Sequence, residues 1–353
     1  MVLSIISFTE NGICLSAKIA NKLSNAECKL YTKWSAYLQK KQDNFIQFYE
    51  KSISEWAKEQ FDQRYALLFI GACGIAVRAI APCITDKLHD SPVLVIDEKG
   101  QYVIPILSGH MGGANELALM IAGKIQAAPI ITTATDINNK FAVDLFAREN
   151  GLSIVNKEGI AKVSSKVLSG NTLTISVETG HLAPNVQLPH AIQLVPYPPN
   201  QPVDIVISSE KVEFDAIIRL IPKEYIIGMG CKKGKNAEEI TAFIKETLVV
   251  LNISGVQIAA LASIDVKSKE PGLLAWSSEE KIPFLTYSVE ELANITGDFH
   301  TSDFVKNTVG VDNVCERAAL KAAGTKGRII YGKHARDGMT IAVARKEWKI
   351  LFT

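Results

Sequence analysis

The sequence predicts an α/β protein in which N-terminal and C-terminal three-layer α/β domains with largely parallel sheets are joined by a small α+β middle domain. Short apolar runs alternate with amphipathic helical stretches near both ends of the chain, which is typical of parallel sheets covered by helices. The 353 residues exceed the usual size of one domain. Residues 184–202 hold six of the 13 prolines and interrupt the alternation between the two halves.

Residues 1–136 form the first predicted domain. Short apolar runs predict strands, and apolar residues repeating every three to four positions predict helices. The sequence Asp97-Glu98-Lys99-Gly100 predicts a hairpin turn between two such runs. In chain order we expect strand 2–7, helix 14–23, helix 45–61, strand 66–70, helix 75–84, strands 93–96 and 102–107, helix 114–125 and strand 129–133.

Residues 137–222 form the predicted middle domain, and residues 223–353 form the last one. Asn236 with Glu239 predicts a capped helix start, and Pro271 suits the first turn of another helix. The middle domain is expected to contain helices 142–149 and 159–168 and strands 173–177 and 204–208. The last domain is expected to contain strands 225–229, 256–264 and 284–287, helices 237–248, 271–278, 289–294 and 314–323, and a closing hairpin of 328–331 with 339–344.

Composition narrows the function classes. Lys plus Arg is 38 against 37 for Asp plus Glu, and this near-balance argues against nucleic-acid or membrane-surface binding. The six cysteines form no C-x-x-C pair, which favours free thiols in the reducing cytoplasm over a zinc site. The N-terminus has no basic segment of the kind that opens a signal peptide. Residues 65–84 are apolar, but charge and proline interrupt them too early for a membrane span.

The first candidate site is a glycine-rich strand-to-helix junction. Gly71 and Gly74 lie between a predicted strand and helix, and Arg78 follows one turn later. Unpaired N–H groups and the helix dipole favour an anion at a helix start, and glycines allow it to approach the backbone. A packing turn with a solvent-facing arginine is an equal alternative at this point.

The second candidate site follows the next strand, and a third follows the last strand of the same domain. Polar side chains and glycines are dense there, and His110 has the chemistry of a general acid or base near neutral pH. Hydroxyls and a carboxylate at the carboxyl end of a strand suit ligand binding in an open α/β sheet, and a strand cap before the chain crosses to the next domain is the alternative. The residues expected to contact a ligand are Ser108, Gly109, His110, Gly112, Gly113, Asn115, Glu116, Thr132, Thr133, Thr135 and Asp136.

The C-terminal half carries a second glycine-rich junction followed by two polar segments. Gly228, Gly230 and Gly234 do not have G-x-G-x-x-G spacing, and no P-loop motif is present, so neither a dinucleotide nor a nucleoside triphosphate is expected. Three lysines in this loop indicate a cradle for another anion. The polar segments are residues 261–273, which read as either an active loop or a solvated linker, and residues 309–319, which lead into a helix.

Six runs together resemble the CbiG family of cobalamin biosynthesis proteins, in order and over essentially the whole chain. Three of them resemble the family's N-terminal domain, and three resemble its C-terminal domain. Cys73 and Cys83 stand where the family more often has small or aliphatic residues, which argues against a catalytic role for these thiols. The runs are 71–82, 107–117, 132–136, 228–234, 262–273 and 309–316.

The resemblance implies a cobalt-precorrin-5A hydrolase of anaerobic cobalamin biosynthesis, which opens the δ-lactone of a corrinoid and releases acetaldehyde. The cobalt belongs to the substrate, so no metal or cofactor of the protein's own is expected. The only partners expected are the corrinoid and, transiently, other enzymes of the pathway. A non-catalytic corrinoid carrier and, less favoured, an S-adenosylmethionine-dependent methyltransferase on the same macrocycle are the alternatives.

Site residues follow from the resemblance together with the chemistry. A corrinoid carries many carboxylates around an apolar ring, so several dispersed anion cradles are expected. The backbone N–H groups of residues 112–114 are the expected oxyanion donors. The candidate acid–base residues are His110, Glu116, Asp265, Glu270 and Glu316. The remaining expected substrate-binding residues are Gly71, Gly74, Arg78, Gly228, Gly230, Cys231, Lys232, Lys233, Gly234, Lys235, Lys267 and Lys269.

Overall fold

The computed structural model describes residues 2–23, 26–40, 45–85, 90–138, 140–211, 213–300 and 310–352, without the side chains of residues 39, 40 and 136. The chain divides into two compact units, Met1–Leu145 and Phe146–Thr353. The first contains one sheet and the second contains two, and helices alternate with mostly parallel strands in all three. This architecture confirms the predicted α/β class.

The first unit is built on a seven-stranded sheet with the order β3-β2-β1-β4-β5-β6-β7. Neighbouring strands are parallel throughout except for β5 and β6, which form the predicted antiparallel hairpin. The strands are β1 (Val2–Ser7), β2 (Glu27–Thr32), β3 (Ile46–Phe48), β4 (Ala66–Ile70), β5 (Val93–Ile96), β6 (Tyr102–Leu107) and β7 (Ala128–Pro129).

The central strands are apolar on both faces because helices cover both sides of the sheet. Side chains alternate between faces along a strand, so Leu68 and Ile70 enter one core while Leu67 and Phe69 enter the other. The helices are α1 (Glu10–Lys22), α2 (Tyr37–Lys40), α3 (Ile53–Asp62), α4 (Cys73–Ile80), α5 (Ala114–Ile125), α6 (Ala134–Ile137) and α7 (Val143–Glu149), which belongs to the other unit from its fourth residue on.

Several predicted boundaries in this unit are wrong. The helix expected over 45–61 is a strand, β3, followed by α3, which begins after Ser52. Ser52 and Glu55 form a reciprocal capping box that fixes this start. Thr9 caps α1 and starts that helix four residues earlier than expected. The strand expected over 129–133 is only β7, and the helix expected over 75–84 ends at Ile80 with a 3₁₀ turn after it.

The second unit contains a five-stranded sheet with the order β10-β9-β11-β12-β8, parallel except at β8. Its strands are β8 (Leu152–Ile154), β9 (Leu173–Val177), β10 (Ile192–Val195), β11 (Val203–Ile207) and β12 (Ala216–Pro222), and α8 (Gly159–Leu168) packs against it. The sequence predicts β9 and α8 with their observed bounds and β11 one residue late. It does not predict β8, β10 or β12, of which β10 lies inside the proline-rich stretch.

The other sheet of this unit has the order β15-β14-β13-β17-β16, in which β13, β14 and β15 are parallel. β17 pairs antiparallel with β13 and β16, which confirms the closing hairpin. The strands are β13 (Tyr225–Cys231), β14 (Ile258–Ile264), β15 (Phe284–Tyr287), β16 (Arg328–Arg336) and β17 (Met339–Arg345). The helices are α9 (Ala237–Val250), α10 (Pro271–Glu279), α11 (Val289–Ala293) and α12 (Cys315–Ala323).

Candidate functional site

The two glycine-rich loops of the first unit lie at opposite ends of the strands of its sheet. β4 runs parallel to β5, whereas β6 runs antiparallel to β5. Leu107 at the end of β6 pairs with Val93 at the start of β5. The loop after β4 therefore lies at one end of the strands and the loop after β6 at the other. The structure does not bring the motifs around Gly71 and His110 together within this unit.

The junction after β4 lies at a topological switch point. The chain leaves β1 toward β2 on one side and later places β4 on the other, which opens a crevice between the carboxyl ends of β1 and β4. Gly71 faces Phe8, with 3.1 Å between a Cβ built on Gly71 and Phe8 Cδ2. Gly74 and Arg78 are exposed, and Arg78 Nη1 donates to the Gly74 carbonyl at 3.3 Å. The guanidinium of Arg78 therefore lies beside the start of α4, where the sequence predicts an anion-binding site.

The junction after β6 is a tight loop, residues 108–113, that fixes the position of His110. Ser108 adopts a left-handed φ of 57°, and its Oγ donates to the carbonyl of Asp90 at 2.8 Å. A Cβ on Gly112 would lie 2.4 Å from Ser108 Cβ, so the loop has no room for a side chain there. The glycine in this motif is therefore explained by loop packing.

The backbone amides at the start of α5 are engaged inside this loop. Gly113 N donates to the His110 carbonyl at 3.0 Å, and Ala114 N donates to the Ser108 carbonyl at 3.1 Å. The sequence predicts the N–H groups of residues 112–114 as oxyanion donors, and for these two residues that prediction is wrong. Beyond the Gly112 amide, stabilisation of an oxyanion at this loop would come from side chains.

His110 lies between a carboxylate and a hydroxyl. Its Nδ1 is 3.2 Å from Asp144 Oδ1, and its Nε2 is 3.2 Å from Thr135 Oγ1. The side chains of His110 and Asp144 are 9% and 3% exposed. Because a carboxylate only accepts, the pairing favours a proton on Nδ1 and leaves Nε2 as the basic nitrogen, which accepts from Thr135. The structure thus joins residues from three separate sequence segments into one hydrogen-bonded chain.

This chain of residues borders a cavity of about 410 Å³ in the first unit. Its polar walls include Asn115, Glu116 and Lys140, of which Glu116 and Lys140 are exposed. Leu119 and Ile137 also line it and are 54% and 60% exposed. The volume lies within the range of small-molecule sites, roughly 300–1,000 Å³. A lining that combines a few polar side chains with exposed apolar ones suits an amphipathic ligand.

Other predicted residues support the walls of this cavity. Asn115 Nδ2 donates to Thr133 Oγ1 at 3.1 Å. A Cβ on Gly109 would lie 2.8 Å from Asn115 Oδ1, so that glycine admits the amide. Thr132 is exposed beside them. The side chain of Asp136, a predicted contact, lies outside what the structure describes.

Asp144 is the member of this hydrogen-bonded chain that the sequence does not predict. It lies in α7, which was predicted as a helix without any motif. Its position on the helix is the signal that could have identified it, because Asp144 shares a buried helix face with Val143 and Ala147. A carboxylate on such a face is rarely buried without a partner, so a partner for Asp144 is to be expected. Leu145 N also donates to Asp144 Oδ1, at 3.0 Å.

In the last sheet, the predicted motifs lie together at the carboxyl ends of β13, β14 and β15, and we call this end of the sheet the C-terminal edge. β13, β14 and β15 are parallel, so the loops that follow them emerge together at their carboxyl ends. Gly234 N donates to Glu270 Oε1 at 2.8 Å, which joins the loop after β13 to the loop after β14. A Cβ built on Gly230 would lie 3.9 Å from Val314 Cβ, so the segment before α12 borders the same edge. All three C-terminal motifs therefore share one edge.

Glu270 connects two of these loops. It is buried, and Lys267 Nζ donates to its Oε2 at 2.9 Å. Burial raises the pKa of the Glu270 carboxyl, but the hydrogen bonds from Lys267 and Gly234 outweigh burial and leave this pKa below its ordinary value. A carboxylate held in its charged form by two donors is suited to positioning a loop.

Glu316 is likewise buried, in the first turn of α12. His300 N and Lys333 N each donate to it at 2.9 Å, its Oε1 lies 3.0 Å from His300 Nδ1, and Asn313 Nδ2 also donates to it. Burial raises the pKa of the Glu316 carboxyl, but the hydrogen bonds from His300 and Lys333 outweigh burial and lower it. Glu316 therefore holds an exposed histidine in place, and sequence reasoning missed that histidine.

The remaining C-terminal residues differ in their surroundings. Gly228 lies under α12, where a Cβ would be 1.9 Å from the Cys315 carbonyl oxygen, so it serves helix–strand packing. Burial raises the pKa of the Cys231 thiol, which keeps it protonated at neutral pH. The exposed polar residues at this edge are Lys232, Lys233, Asp265 and Lys269, and Lys235 and Lys267 are half-buried.

A second cavity of about 470 Å³ borders His300. Arg317 lies in its wall, donates to Asp312 Oδ1 at 2.9 Å and packs over the Phe299 ring. Among the described residues, no group of three His, Cys, Asp or Glu side chains is placed to hold a metal ion. Within the same ranges, none of the helices combines the length and apolarity needed to cross a bilayer.

Two family models match this chain. The one described as "Cobalamin synthesis G N-terminal" matches residues 55–136, and the one described as "Cobalamin synthesis G C-terminus" matches residues 225–344. Together they cover more than half of the sequence. The first match contains both glycine-rich junctions of the first unit, and the second contains the C-terminal edge with Glu270 and Glu316.

Individual proteins match over almost the full length. A protein named cobalt-precorrin-5A hydrolase from Priestia megaterium is 31% identical and covers 97% of this chain and 94% of its own. One of the same name from Salmonella typhimurium is 30% identical and covers 97% of both chains. The crystal structure of a cobalamin biosynthesis protein G homologue from Sulfolobus solfataricus is 26% identical, with a TM-score of 0.41 over 98% of this chain and 97% of that one.

Proposed function

Because the chain belongs to the cobalamin synthesis G family, we propose that it is a cobalt-precorrin-5A hydrolase. Relatives of that name match 97% of this chain at 31% and 30% identity. The proposed reaction opens the δ-lactone of the contracted corrinoid and releases the extruded bridge carbon with its methyl group as acetaldehyde. The cobalt is part of the substrate.

The observation that carries this proposal within the molecule is the contact of His110 with Asp144 beside the 410 Å³ cavity. A lactone is an ester, and its hydrolysis requires a general base and stabilisation of the oxyanion. Asp144 accepts from His110 Nδ1, which orients the imidazole and stabilises the imidazolium that forms. His110 Nε2, on the side of the ring that faces the Thr135 hydroxyl, takes the proton from the attacking water. Lys140 and the Asn115 amide, which line the same cavity, are the side chains proposed to stabilise the oxyanion.

The exposed apolar side chains that line the cavity support a macrocyclic substrate. Leu119 and Ile137 offer a surface on which the ring edge is proposed to rest while the lactone carbonyl approaches His110. Burying exposed leucine and isoleucine side chains contributes roughly 1.5–3 kcal/mol each when it is complete.

The acid–base role is assigned to His110 in preference to Glu270 and Glu316. Both of these carboxylates accept several hydrogen bonds, and their pKa values lie below the ordinary value, so they are weak bases held in position. Glu116 remains the alternative base, since it lines the same cavity. After lactone opening, the freed alkoxide collapses to acetaldehyde as the carbon–carbon bond breaks, and the conjugated macrocycle accepts the electron pair.

The direct test measures acetaldehyde release from cobalt-precorrin-5A by the purified protein. We expect turnover by the wild type and a loss of about a thousandfold in His110→Ala, with His190→Ala as the matched control because His190 lies exposed in a loop of the other unit. Stoichiometric corrinoid binding without acetaldehyde would instead identify a carrier. Calorimetric binding of S-adenosylmethionine would instead support a methyltransferase.

A further inference from the structure

Thr135 occupies the place of a nucleophile in the His110 site. Its Oγ1 lies 3.2 Å from His110 Nε2, and His110 Nδ1 lies 3.2 Å from Asp144 Oδ1. Thr135 is only 7% exposed, and it lines the cavity together with His110. Thr135 is the second residue of the short helix α6, and its hydroxyl contacts this imidazole from the start of that helix.

The order hydroxyl, imidazole, carboxylate is the arrangement that activates a hydroxyl for acyl transfer, whatever the fold that carries it. We propose that Thr135 Oγ1 attacks the lactone carbonyl and that the reaction passes through an acyl-enzyme ester on Thr135. This inference rests on the proposed lactone hydrolysis for its substrate. It goes beyond that proposal, in which water attacks the lactone directly.

The acylation step is balanced within the site. His110 Nε2 removes the Thr135 hydroxyl proton as the bond from Oγ1 to the lactone carbonyl carbon forms. The ring C–O bond then breaks, and the imidazolium returns the proton to the departing alkoxide oxygen. Asp144 keeps its negative charge throughout and stabilises the imidazolium. The products of this step are the acyl ester on Thr135 and the opened alcohol, which goes on to release acetaldehyde.

The deacylation step repeats the same proton movements with water. His110 Nε2 takes a proton from water, the hydroxide attacks the ester carbonyl, and the bond from carbon to Oγ1 breaks. The proton then returns to Thr135, and the product is the free carboxylic acid, which releases its remaining proton to solvent as it ionises to the carboxylate. Lys140 lies in the same cavity wall and places a positive charge near the oxyanion of both tetrahedral intermediates. Neither step requires an oxidant, a reductant or a metal.

The competing role for Thr135 is to position His110 while water attacks. Replacing Thr135 with valine separates the two roles, because valine keeps the shape and removes the hydroxyl. A nucleophile predicts a loss of about a thousandfold or more in kcat for Thr135→Val and substantial retention in Thr135→Ser. A positioning residue predicts a kcat within about tenfold of wild type for Thr135→Val. Thr172→Val, an exposed threonine in the other unit, is the matched control.

The covalent intermediate is tested with p-nitrophenyl acetate, an activated ester that does not depend on corrinoid recognition. Wild-type protein is incubated with the ester, quenched in acid, digested and mapped by mass spectrometry. We expect an acetyl group on Thr135 in the wild type and in Thr172→Val, and none at this position in Thr135→Val or His110→Ala. Circular dichroism and thermal unfolding confirm that each variant is folded.

The outcomes separate this inference from the proposed function. An acetyl group on Thr135 with a thousandfold loss in Thr135→Val supports the nucleophile. Acetaldehyde release by wild type and by Thr135→Val at similar rates, with no acetylation of Thr135, overturns the nucleophile and leaves the hydrolase intact. Acetylation of Thr135 without any acetaldehyde from the corrinoid overturns the hydrolase and leaves the nucleophile intact.

Discussion

Replacing Asp144 with asparagine isolates the charge that supports His110. The amide keeps the size of the carboxylate and its ability to accept from the imidazole and from Leu145 N, so the main change is the loss of one negative charge. The contact of 3.2 Å places the two charges about 4 Å apart once His110 is protonated. At an effective dielectric constant of about 20, their attraction is about 4 kcal/mol, and about 1.4 kcal/mol corresponds to tenfold in rate.

Asp144→Asn should therefore lower the kcat for acetaldehyde release by about a thousandfold while leaving KM nearly unchanged. Asp204→Asn is the matched control because Asp204 is also buried and accepts a hydrogen bond from Lys166, in the other unit. It should lower the melting temperature without lowering kcat. A kcat within about tenfold of wild type in folded Asp144→Asn would refute the role given to this pair.

Three further predictions concern stability. Glu270→Gln removes the ion pair between Glu270 and Lys267, whose side chains are 5% and 16% exposed, respectively. This substitution should lower the free energy of unfolding by about 2 kcal/mol near pH 7. Because the folded pKa of Glu270 is lowered from 4.5, that contribution is present above this value and is lost as the pH falls below it. Urea unfolding at several pH values checks this, and a difference independent of pH would contradict it. Gly228→Ala would place its Cβ 1.9 Å from the Cys315 carbonyl oxygen and should cost about 3 kcal/mol or more, so a near-normal melting temperature would be inconsistent with this packing. Gly123→Ala, at an exposed position in α5 with no atom within 4 Å of the new Cβ, should stabilise the protein by roughly 0.5–1 kcal/mol in the same measurement, and destabilisation would contradict the open surroundings.

The central elements were predictable because they carry strong local patterns. β1, β4, β5, β6 and α5 have the bounds that the sequence predicts, since long apolar runs or a clear helical period define them. β2 and β3 were not predicted. They lie at one side of the sheet, where shorter and partly polar sequences form strands through pairing with a neighbour. Such pairing is a tertiary effect that local pattern does not contain.

The site was predictable in its parts and not in its assembly. His110 and Asn115 were identified from one motif and Thr133 and Thr135 from another, and the structure brings them together. Their convergence depends on the parallel pairing of β6 with β7, which places the loops after these two strands at the same end of the sheet. Asp144 lies in a helix with no motif, and only its burial distinguishes it from a surface carboxylate.

The reversal of one strand in the first unit also affects how ligands would compete. The crevice at Gly71 and the cavity at His110 lie at opposite ends of β5, which has four residues and therefore spans about 13 Å. A small carboxylate bound in the crevice would leave the cavity accessible, so one molecule would bind both occupants at the same time. Two inhibitors directed at these places would act as mutually non-exclusive ligands, and their combined effect would be the product of the separate ones.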